Sequence, residues 1–388
     1  GTSIMDIANI IAKAKDVFYW LHRHPELSGE ELQTTAFLTD ILAKNDIEIY
    51  ALPLKTGLVA HIGTGKPVVA FRCDIDALPM TEASGVPYVS EYPGKMHACG
   101  HDFHAAALVG IALTLKNSEP LAGTVKFIFQ PAEETTAGAL QILETGILDD
   151  VDVIFGLHCC AACPRGTIIT REGFMNGAVD EFRIDFLGTG AHACRPHLAA
   201  DPVLMIGSFI LEAQTIVSRC IQPFHPAIMG ITHIAAGTAR NVIPGNGFVE
   251  GTVRTLYPED RRLIKEKLAQ FAVRIAENYG GAAEIQITEG PPATDNDKEW
   301  VGVAEQVAAK LSLPFERAPD SLSGEDFAFY QQKIPGVFIQ IGTGVGPMMH
   351  NPAFRVDPDT IEEAVRFGAE LIQSSLSILE RRMRNFSK

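Results

Sequence analysis

Val125-Lys126-Phe127-Ile128-Phe129 is an apolar stretch that runs directly into Gln130-Pro131-Ala132-Glu133-Glu134. A short apolar run that ends near a proline predicts a buried strand. Further runs of this kind lie at residues 59–62, 68–72 and 153–157. The runs alternate with helical patterns near residues 104–115 and 138–144. This alternation predicts an α/β fold whose mainly parallel sheet is covered by helices on both faces.

Polar side chains follow two of the predicted strands. Glu133 and Glu134 come after the run at 125–129, and His158 comes after the run at 153–157. In a parallel sheet, ligands gather beyond the carboxyl ends of the strands. We therefore expect these three side chains to lie at one edge of the sheet.

The pattern of predicted strands and helices changes around residue 179. From residue 181 to 288 the order strand-helix-strand-strand-helix-strand predicts a compact α+β domain of the split-βαβ, ferredoxin-like kind. After Pro291-Pro292 the α/β pattern returns, and the segment that follows contains His350. We expect His350 to share one metal site with side chains from the first 160 residues. We therefore predict one catalytic domain (1–178 and 293–388) interrupted by an inserted domain (179–292).

Composition excludes some functions. The net charge is -15 and no cluster of Lys and Arg appears, which argues against nucleic acid. A single well-placed Arg can still bind an anionic substrate. The seven Cys form no regular framework, so we expect reduced thiols in a cytoplasmic protein.

Membrane and targeting signals are not expected. The first residues lack the charged and apolar segments of a signal peptide, and helical spacing is predicted from residue 4 to 23. No apolar run approaches the roughly 18–20 residues that span a bilayer, so we expect a soluble protein without a membrane partner.

Cys99 and His101 are separated only by Gly100, so a tight loop can direct both at one ion. A thiolate and an imidazole suit zinc or another borderline divalent metal. The alternative is a small buried Cys and a capping His before the helix near 104–115.

Adjacent carboxylates point in different directions, so one of the pair Glu133-Glu134 can bind metal while the other faces water. Metal-assisted hydrolysis requires this division, because the ion acidifies water and a carboxylate moves the proton. The alternative is a solvated acidic helix start. His158 and His350 taken singly are more often structural, but together with the other pieces they indicate a metal site.

Cys160-Ala161-Ala162-Cys163 has the spacing of redox motifs. Thioredoxin-like motifs begin a helix after a strand, whereas Pro164-Arg165-Gly166 continues a loop. We therefore favour two other interpretations over a redox function: these cysteines shape the substrate pocket, or they oxidise in storage.

The chain resembles the amidohydrolase branch of the M20 metallopeptidase superfamily, which contains aminoacylase, hippurate hydrolase and auxin-conjugate hydrolase-like enzymes. The resemblance runs from residue 21 nearly to the C-terminus. It rests on these segments: Leu21-His22-Arg23-His24-Pro25-Glu26, Asp74-Ile75-Asp76-Ala77-Leu78-Pro79, Met96-His97-Ala98-Cys99-Gly100-His101-Asp102, Gln130-Pro131-Ala132-Glu133-Glu134, Gly190-Ala191-His192-Ala193, Asn241-Val242-Ile243-Pro244 and Gly251-Thr252-Val253-Arg254.

The resemblance implies two divalent metal ions, with manganese or zinc favoured and cobalt or nickel as alternatives. It implies these ligands, with Cys99 as the bridge: Cys99, His101, Glu134, His158 and His350. Glu133 would be the general base and then the acid that protonates the leaving amine. The superfamily's His-x-Asp pair is replaced here by Asp74-Ile75-Asp76. This leaves Asp76 as a group that orients a ligand.

The resemblance also makes the inserted domain a lid and dimerisation domain. His192 would stabilise the oxyanion, reaching across a homodimer interface into the partner's site. Asn241 and Arg254 would hold the substrate carboxylate.

We therefore predict a metal-dependent amidohydrolase that cleaves the amide of an N-acyl amino acid or a related small conjugate. A carboxypeptidase or dipeptidase of the same fold is the alternative within this chemistry. A metal-binding protein without turnover is the alternative of another class.

Overall fold

The predicted apolar strands form the middle of an eight-stranded sheet in the computed structural model, which describes residues 6–344 and 346–387. In chain order the strands are β1 (Glu48–Ile49), β2 (Leu58–Gly63), β3 (Val68–Asp74), β4 (Thr124–Gln130), β5 (Val153–Cys160), β6 (Ile168–Thr170), β7 (Gly173–Phe174), β8 (Ala178–Leu187), β9 (Ala191–His192), β10 (Ala227–Ala236), β11 (Val242–Ile243), β12 (Asn246–Thr255), β13 (Ala282–Glu289), β14 (Asp295–Asn296), β15 (Phe315–Arg317) and β16 (Gly336–Gly342).

The large sheet has the strand order β1-β2-β4-β3-β5-β16-β6-β15. Its centre is parallel: β3 pairs in parallel with β4 and β5, and β5 with β16. Antiparallel ladders join β1 to β2, β2 to β4, and β6 to β16. Every residue of β3 and β4 is buried, which is why their sequences lack the alternation of apolar and polar residues seen in half-exposed strands. The predicted fold class is confirmed.

The helices in chain order are α1 (Ile7–Arg23), α2 (Leu32–Lys44), α3 (His101–Lys116), α4 (Gly138–Glu144), α5 (Pro202–Thr215), α6 (Pro258–Asn278), α7 (Lys298–Lys310), α8 (Ala328–Gln331) and α9 (Thr360–Phe386). The side chain of Asp6 accepts from the amide of Asn9 and caps α1. The predicted helix start at Ile4 lies outside the described residues.

Helix α3 lies inside the structure rather than on its surface. All of its residues from His101 to Leu113 are buried, because it packs against α1, α9 and strand β3. Its sequence is therefore apolar all round, with small residues such as Ala105 and Gly110 where neighbours approach closely. A helix held in this way places its first residue, His101, firmly in the core.

The chain forms two units. One comprises residues 1–173, 295–319 and 326–388, and the other comprises residues 174–294 and 320–325. The sequence-based boundaries at 178/179 and 292/293 fall within a few residues of these, but the sequence did not indicate that residues 320–325 join the second unit.

The second unit contains a four-stranded antiparallel sheet in the order β10-β12-β8-β13, with α5 and α6 packed against it. The face of α5 that carries Met205, Phe209 and Ala213 is buried in this core. Pro202–Cys220, which continues α5 through a π-helical turn, is long and apolar enough to cross a membrane by length and composition alone. Our expectation that no run approaches such a length was therefore wrong. A core helix of a soluble protein passes the same test.

Candidate metal centre

Cys99 and His101 lie on either side of a left-handed glycine. Gly100 has a φ of 77° and caps α3, and a Cβ at this position would clash with Sγ of Cys159. Only glycine therefore allows the chain to turn here with both neighbours buried. The turn leaves the thiol and the imidazole each within reach of the Glu134 carboxylate.

Glu133 and Glu134 lie in a turn directly after β4, as predicted. Ala132 adopts a φ of 51°, and its amide donates to Oε2 of the buried Glu31 at 2.8 Å. Burial raises the pKa of Glu31 to about 7. Glu31 thus fixes the turn from a distant helix start. Glu31 was not predicted as a site residue, and it lies outside the quoted segments that carry the family resemblance.

Asp76 connects the two segments. Its Oδ1 lies 3.0 Å from Nδ1 of His101, and its Oδ2 accepts from the amide of Glu134 at 3.0 Å and from Ser28 at 2.7 Å. Burial alone would raise the pKa of Asp76, but hydrogen bonds, first of all that with His101, outweigh it and lower the pKa. The carboxylate therefore stays ionised, as a ligand-orienting group must.

His158 lies inside β5 and not after it, which corrects the predicted strand end at residue 157. The ladder with β16 pairs His158 with Gln340 and continues to Cys160. Nδ1 of His158 faces the carbonyl of Cys159 at 2.8 Å, so Nδ1 carries the proton. Nε2 is then left to face Sγ of Cys99, 3.7 Å away.

His350 reaches the site from the loop before α9. It has a φ of 63°, and its amide donates to the carbonyl of Ala98 at 2.7 Å. This bond ties the loop to the segment that carries Cys99. Nε2 of His350 lies 3.4 Å from Oε1 of Glu134.

The five predicted metal ligands converge. Nε2 of His101 is 3.6 Å from Oε1 of Glu134, and one candidate ligand atom each from Cys99, Glu134 and His350 lie within 4.8 Å of one another. Two ligands of a tetrahedral zinc ion lie roughly 3.3–3.6 Å apart, given bonds of about 2.0–2.3 Å. Nε2 of His101 and Oε1 of Glu134 are buried without a hydrogen-bond partner. Their spacing and lack of partners fit metal binding.

The electrostatics favour cations. Burial would lower the pKa of His101, but Asp74 and Asp76 outweigh it and raise the pKa to about 10. Burial, with Glu134 and Glu133 adding to it, raises the pKa of the Cys99 thiol well above its usual value. A thiolate at Cys99 therefore needs a compensating positive charge, which divalent ions supply.

Asp74 and His104 border the centre and were not predicted as site residues. Nδ1 of His104 donates to Oδ1 of Asp74 at 2.6 Å, and Nε2 accepts from the amide of Cys159 at 2.8 Å. Both nitrogens of His104 are thus engaged, which leaves it a positioning role. Asp74 Oδ2 lies 3.3 Å from Nε2 of His101.

His192, Asn241 and Arg254 belong to the second unit, whereas the residues described so far belong to the first. Strands β9 and β11 pair His192 with Val242, directly after Asn241, and both predicted residues are exposed. The amide of Cys194 donates to Nδ1 of His192 at 3.1 Å. Arg254 is half-buried and donates to the carbonyl of Leu322.

Comparison with known proteins identifies the class. Residues 70–374 match the peptidase family M20/M25/M40, and the chain belongs to this family. The matched region contains the whole candidate metal centre except Glu31 and Ser28.

Relatives and solved structures are similar to this chain over most of its length. Two N-acetylcysteine deacetylases of Bacillus subtilis (strain 168) are 43% and 41% identical, covering 90% and 93% of this chain and 93% and 86% of their own. The crystal structure of the Bacillus subtilis YXEP protein, a dinuclear metal binding peptidase from the M20 family, has a TM-score of 0.87 and 40% identity. The match covers 95% of this chain and 99% of that one. Fold, site and relatives together define a metal-dependent amide hydrolase with a dinuclear centre.

Proposed function

We propose that this chain hydrolyses the amide bond of small N-acyl amino acids, releasing a carboxylic acid and a free amino acid. N-acetylcysteine is the first substrate to test, because two relatives that cover most of the chain are deacetylases of that compound. The observation that carries the proposal is the position of Glu133. Its Oε2 lies 3.7 Å from Nε2 of His101, and its carboxylate lies close to the candidate ligand atoms of His101 and Glu134 but outside the Cys99, Glu134 and His350 group. It therefore borders the proposed ions and can still accept a proton.

Cys99, His101, Glu134, His158 and His350 would hold two ions, whose positive charge would polarise a carbonyl and acidify water. Glu133 takes the proton from the attacking water and later gives it to the nitrogen of the leaving amino acid. Asp76 holds the imidazole of His101 so that Nε2 faces the centre. A purely structural metal site needs no second carboxylate beside its ligand, which disfavours the non-catalytic alternative.

His192 is proposed as the oxyanion donor. Because the amide of Cys194 donates to Nδ1, the proton of the neutral ring sits on Nε2, where it can be donated to a developing negative charge. Asn241, next to His192 across the β9–β11 pair, is proposed to hold the substrate carboxylate, with Arg254 as a further candidate. The proposal places His192 in the partner subunit's site.

We propose a homodimer through the second unit, and the exposed apolar residues of that unit support it. Strand β10 is an edge of its sheet, and Ile228 and Ile234 on it are exposed. On α5, Val203, Leu204 and Leu211 are exposed as well, Leu211 to 75%. An unpaired strand edge beside an exposed apolar helix face favours association with a second copy.

Manganese and zinc are the proposed metals, with cobalt or nickel as alternatives; the Cys ligand tilts the balance towards the softer ions among them. The proposed location is the cytoplasm.

The test is amino-acid release from a panel of N-acetyl, N-benzoyl and indole-acetyl amino acids and dipeptides, with added manganese or zinc and a chelator control. Chelator-sensitive release from acyl amino acids supports the proposal. Turnover confined to dipeptides moves the protein to the carboxypeptidase or dipeptidase alternative. If the metal-loaded chain releases no amino acid from any compound of the panel, the proposed substrates are wrong.

A further inference from the structure

Cys160 and Cys163 form a disulfide at the end of β5, which corrects our expectation that all thiols are reduced. Their Cα atoms lie 5.6 Å apart, within the usual range for such bonds. Both residues are partly exposed, so small thiols can reach them. The free cysteines among the described residues are Cys73, Cys99, Cys159, Cys194 and Cys220.

The turn that this disulfide closes anchors the start of the loop that carries His350. The amide of Thr343 donates to the carbonyl of Cys160 at 3.1 Å, that of Gly344 to Cys163 at 3.2 Å, and that of Gly346 to Ala161 at 3.0 Å. Three hydrogen bonds from the start of this loop therefore depend on the conformation of residues 160–163. The 160–163 turn is also the continuation of the strand that holds His158.

Cys159 completes the connection between this turn and the metal centre. Its Sγ lies 3.4 Å from the carbonyl of Cys99 and 3.8 Å from Sδ of Met349, the neighbour of His350. A shift of the strand end is thus transmitted to the segments that carry Cys99 and His350. Buried packing of this kind passes a displacement on rather than absorbing it.

We propose that Cys160 and Cys163 are a thiol–disulfide exchange site that sets how firmly the His158 and His350 segments hold the metal. The reactant is a low-molecular-weight disulfide such as oxidised glutathione. The two protein thiols lose two protons and two electrons and form one S–S bond. The small disulfide takes up both and leaves as two thiols. In cytosolic proteins, disulfides are usually transient and redox-sensing.

Oxidation closes the turn covalently and reduces its conformational freedom. The three hydrogen bonds between the turn and the His350 loop therefore persist longer. Reduction leaves only hydrogen bonds to hold the turn. Supporting groups around metal ligands typically change metal affinity by roughly 10–100-fold, so we expect metal release roughly tenfold faster from the reduced protein.

The experiment uses the metal-loaded full chain equilibrated in anaerobic buffers of reduced and oxidised glutathione. Peptide mass spectrometry identifies which cysteines are paired, and a chromophoric chelator follows metal release. We expect a Cys160–Cys163 disulfide with slow release in the oxidising buffers. The double variant Cys160→Ser, Cys163→Ser should release metal at the reduced rate in every buffer. Cys220→Ser, which removes an exposed thiol of the second unit, should behave like the wild type.

Equal release rates of the oxidised and reduced wild type overturn the inference, as does pairing of Cys99 or Cys159 in place of this pair. Hydrogen exchange of the amides of Thr343, Gly344 and Gly346 in both redox states needs no variant, and it should show weaker protection after reduction. This inference rests on His158 and His350 as ligands. Two ions bound equally tightly in both states would refute only the redox coupling, whereas failure to bind two ions would refute the ligand set.

Discussion

Oδ1 of Asp76 lies 3.0 Å from Nδ1 of His101, while Oδ2 of the same carboxylate accepts from the amide of Glu134. One buried side chain therefore orients two candidate ligands from different segments. Asp76→Asn should weaken metal binding by roughly 10–100-fold, because it loses the charge that favours Nδ1–H and a ligating Nε2. Metal titration of the apoprotein measures this. Ser28→Ala, which removes a single bond to the same carboxylate, should cost less. Unchanged affinity in Asp76→Asn would contradict an orienting role.

Glu133→Gln should retain both metal ions and lose activity by at least about 100-fold, since the amide cannot accept the proton of water. Metal analysis and the rate of amino-acid release, measured on the same sample, check this. Its matched control is Glu134→Gln, which should lose metal as well as activity. Similar activity in Glu133→Gln and wild type would contradict the role of Glu133 as general base and acid.

Gly100→Ala should displace Cys99 and His101, because a Cβ would meet Sγ of Cys159 and the backbone is left-handed. Weaker metal binding is the expected result. Gly94→Ala is the matched control: its φ is 76° but nothing lies within 4 Å of a Cβ there. That change should cost only about 1–2 kcal/mol of stability and leave metal binding intact. Equal metal affinities in the two variants would show that the close contact is unimportant.

His22 should make the stability of the first unit depend on pH. Burial would lower the pKa of His22, but hydrogen bonds to Asp102 and Glu82 outweigh it and raise the pKa to about 9. The folded state therefore binds the proton more tightly, so this contribution is full below about pH 6.5 and is lost as pH rises through about 9. His22→Gln should remove up to about 3 kcal/mol at pH 6 and little at pH 10.

The pH dependence of the free energy of unfolding is measured by urea unfolding of the metal-free chain, with tryptophan fluorescence as the signal. Both tryptophans, Trp20 and Trp300, belong to the first unit, so the signal reports that unit. His233→Gln, on a strand of the second unit, should leave the curves unchanged. A wild-type and variant difference that is constant from pH 6 to 10 would rule out the charge as its cause.

Leu211→Glu should convert the proposed dimer to a monomer, because it places a charge on the exposed apolar face of α5. Sedimentation equilibrium measures the mass. Leu140→Glu, at an exposed leucine of α4 in the first unit, should leave the dimer intact. A wild-type chain that is monomeric and fully active would contradict both the dimer and His192 acting in the partner's site.

The sequence predicted the elements that local pattern determines. Strands β2, β3 and β4 begin and end within two residues of their predicted bounds, since buried apolar runs are visible in the sequence. The end of β5 was missed because His158 to Cys160 remain in the sheet only through pairing with β16, much later in the chain. Glu31 was missed for a similar reason: its partner Ala132 is a distant backbone amide, which no local spacing reveals.

Strand β16 pairs with both β5 and β6 although it follows the whole second unit in the chain. During synthesis, therefore, β5 emerges with Val153, Phe155 and Leu157 long before the strand that covers its edge exists. Until then an apolar strand edge is open to pairing with other chains. The last ligand, His350, arrives later still. The nascent protein thus passes through a stage at which an apolar strand edge is exposed and its candidate metal site is incomplete.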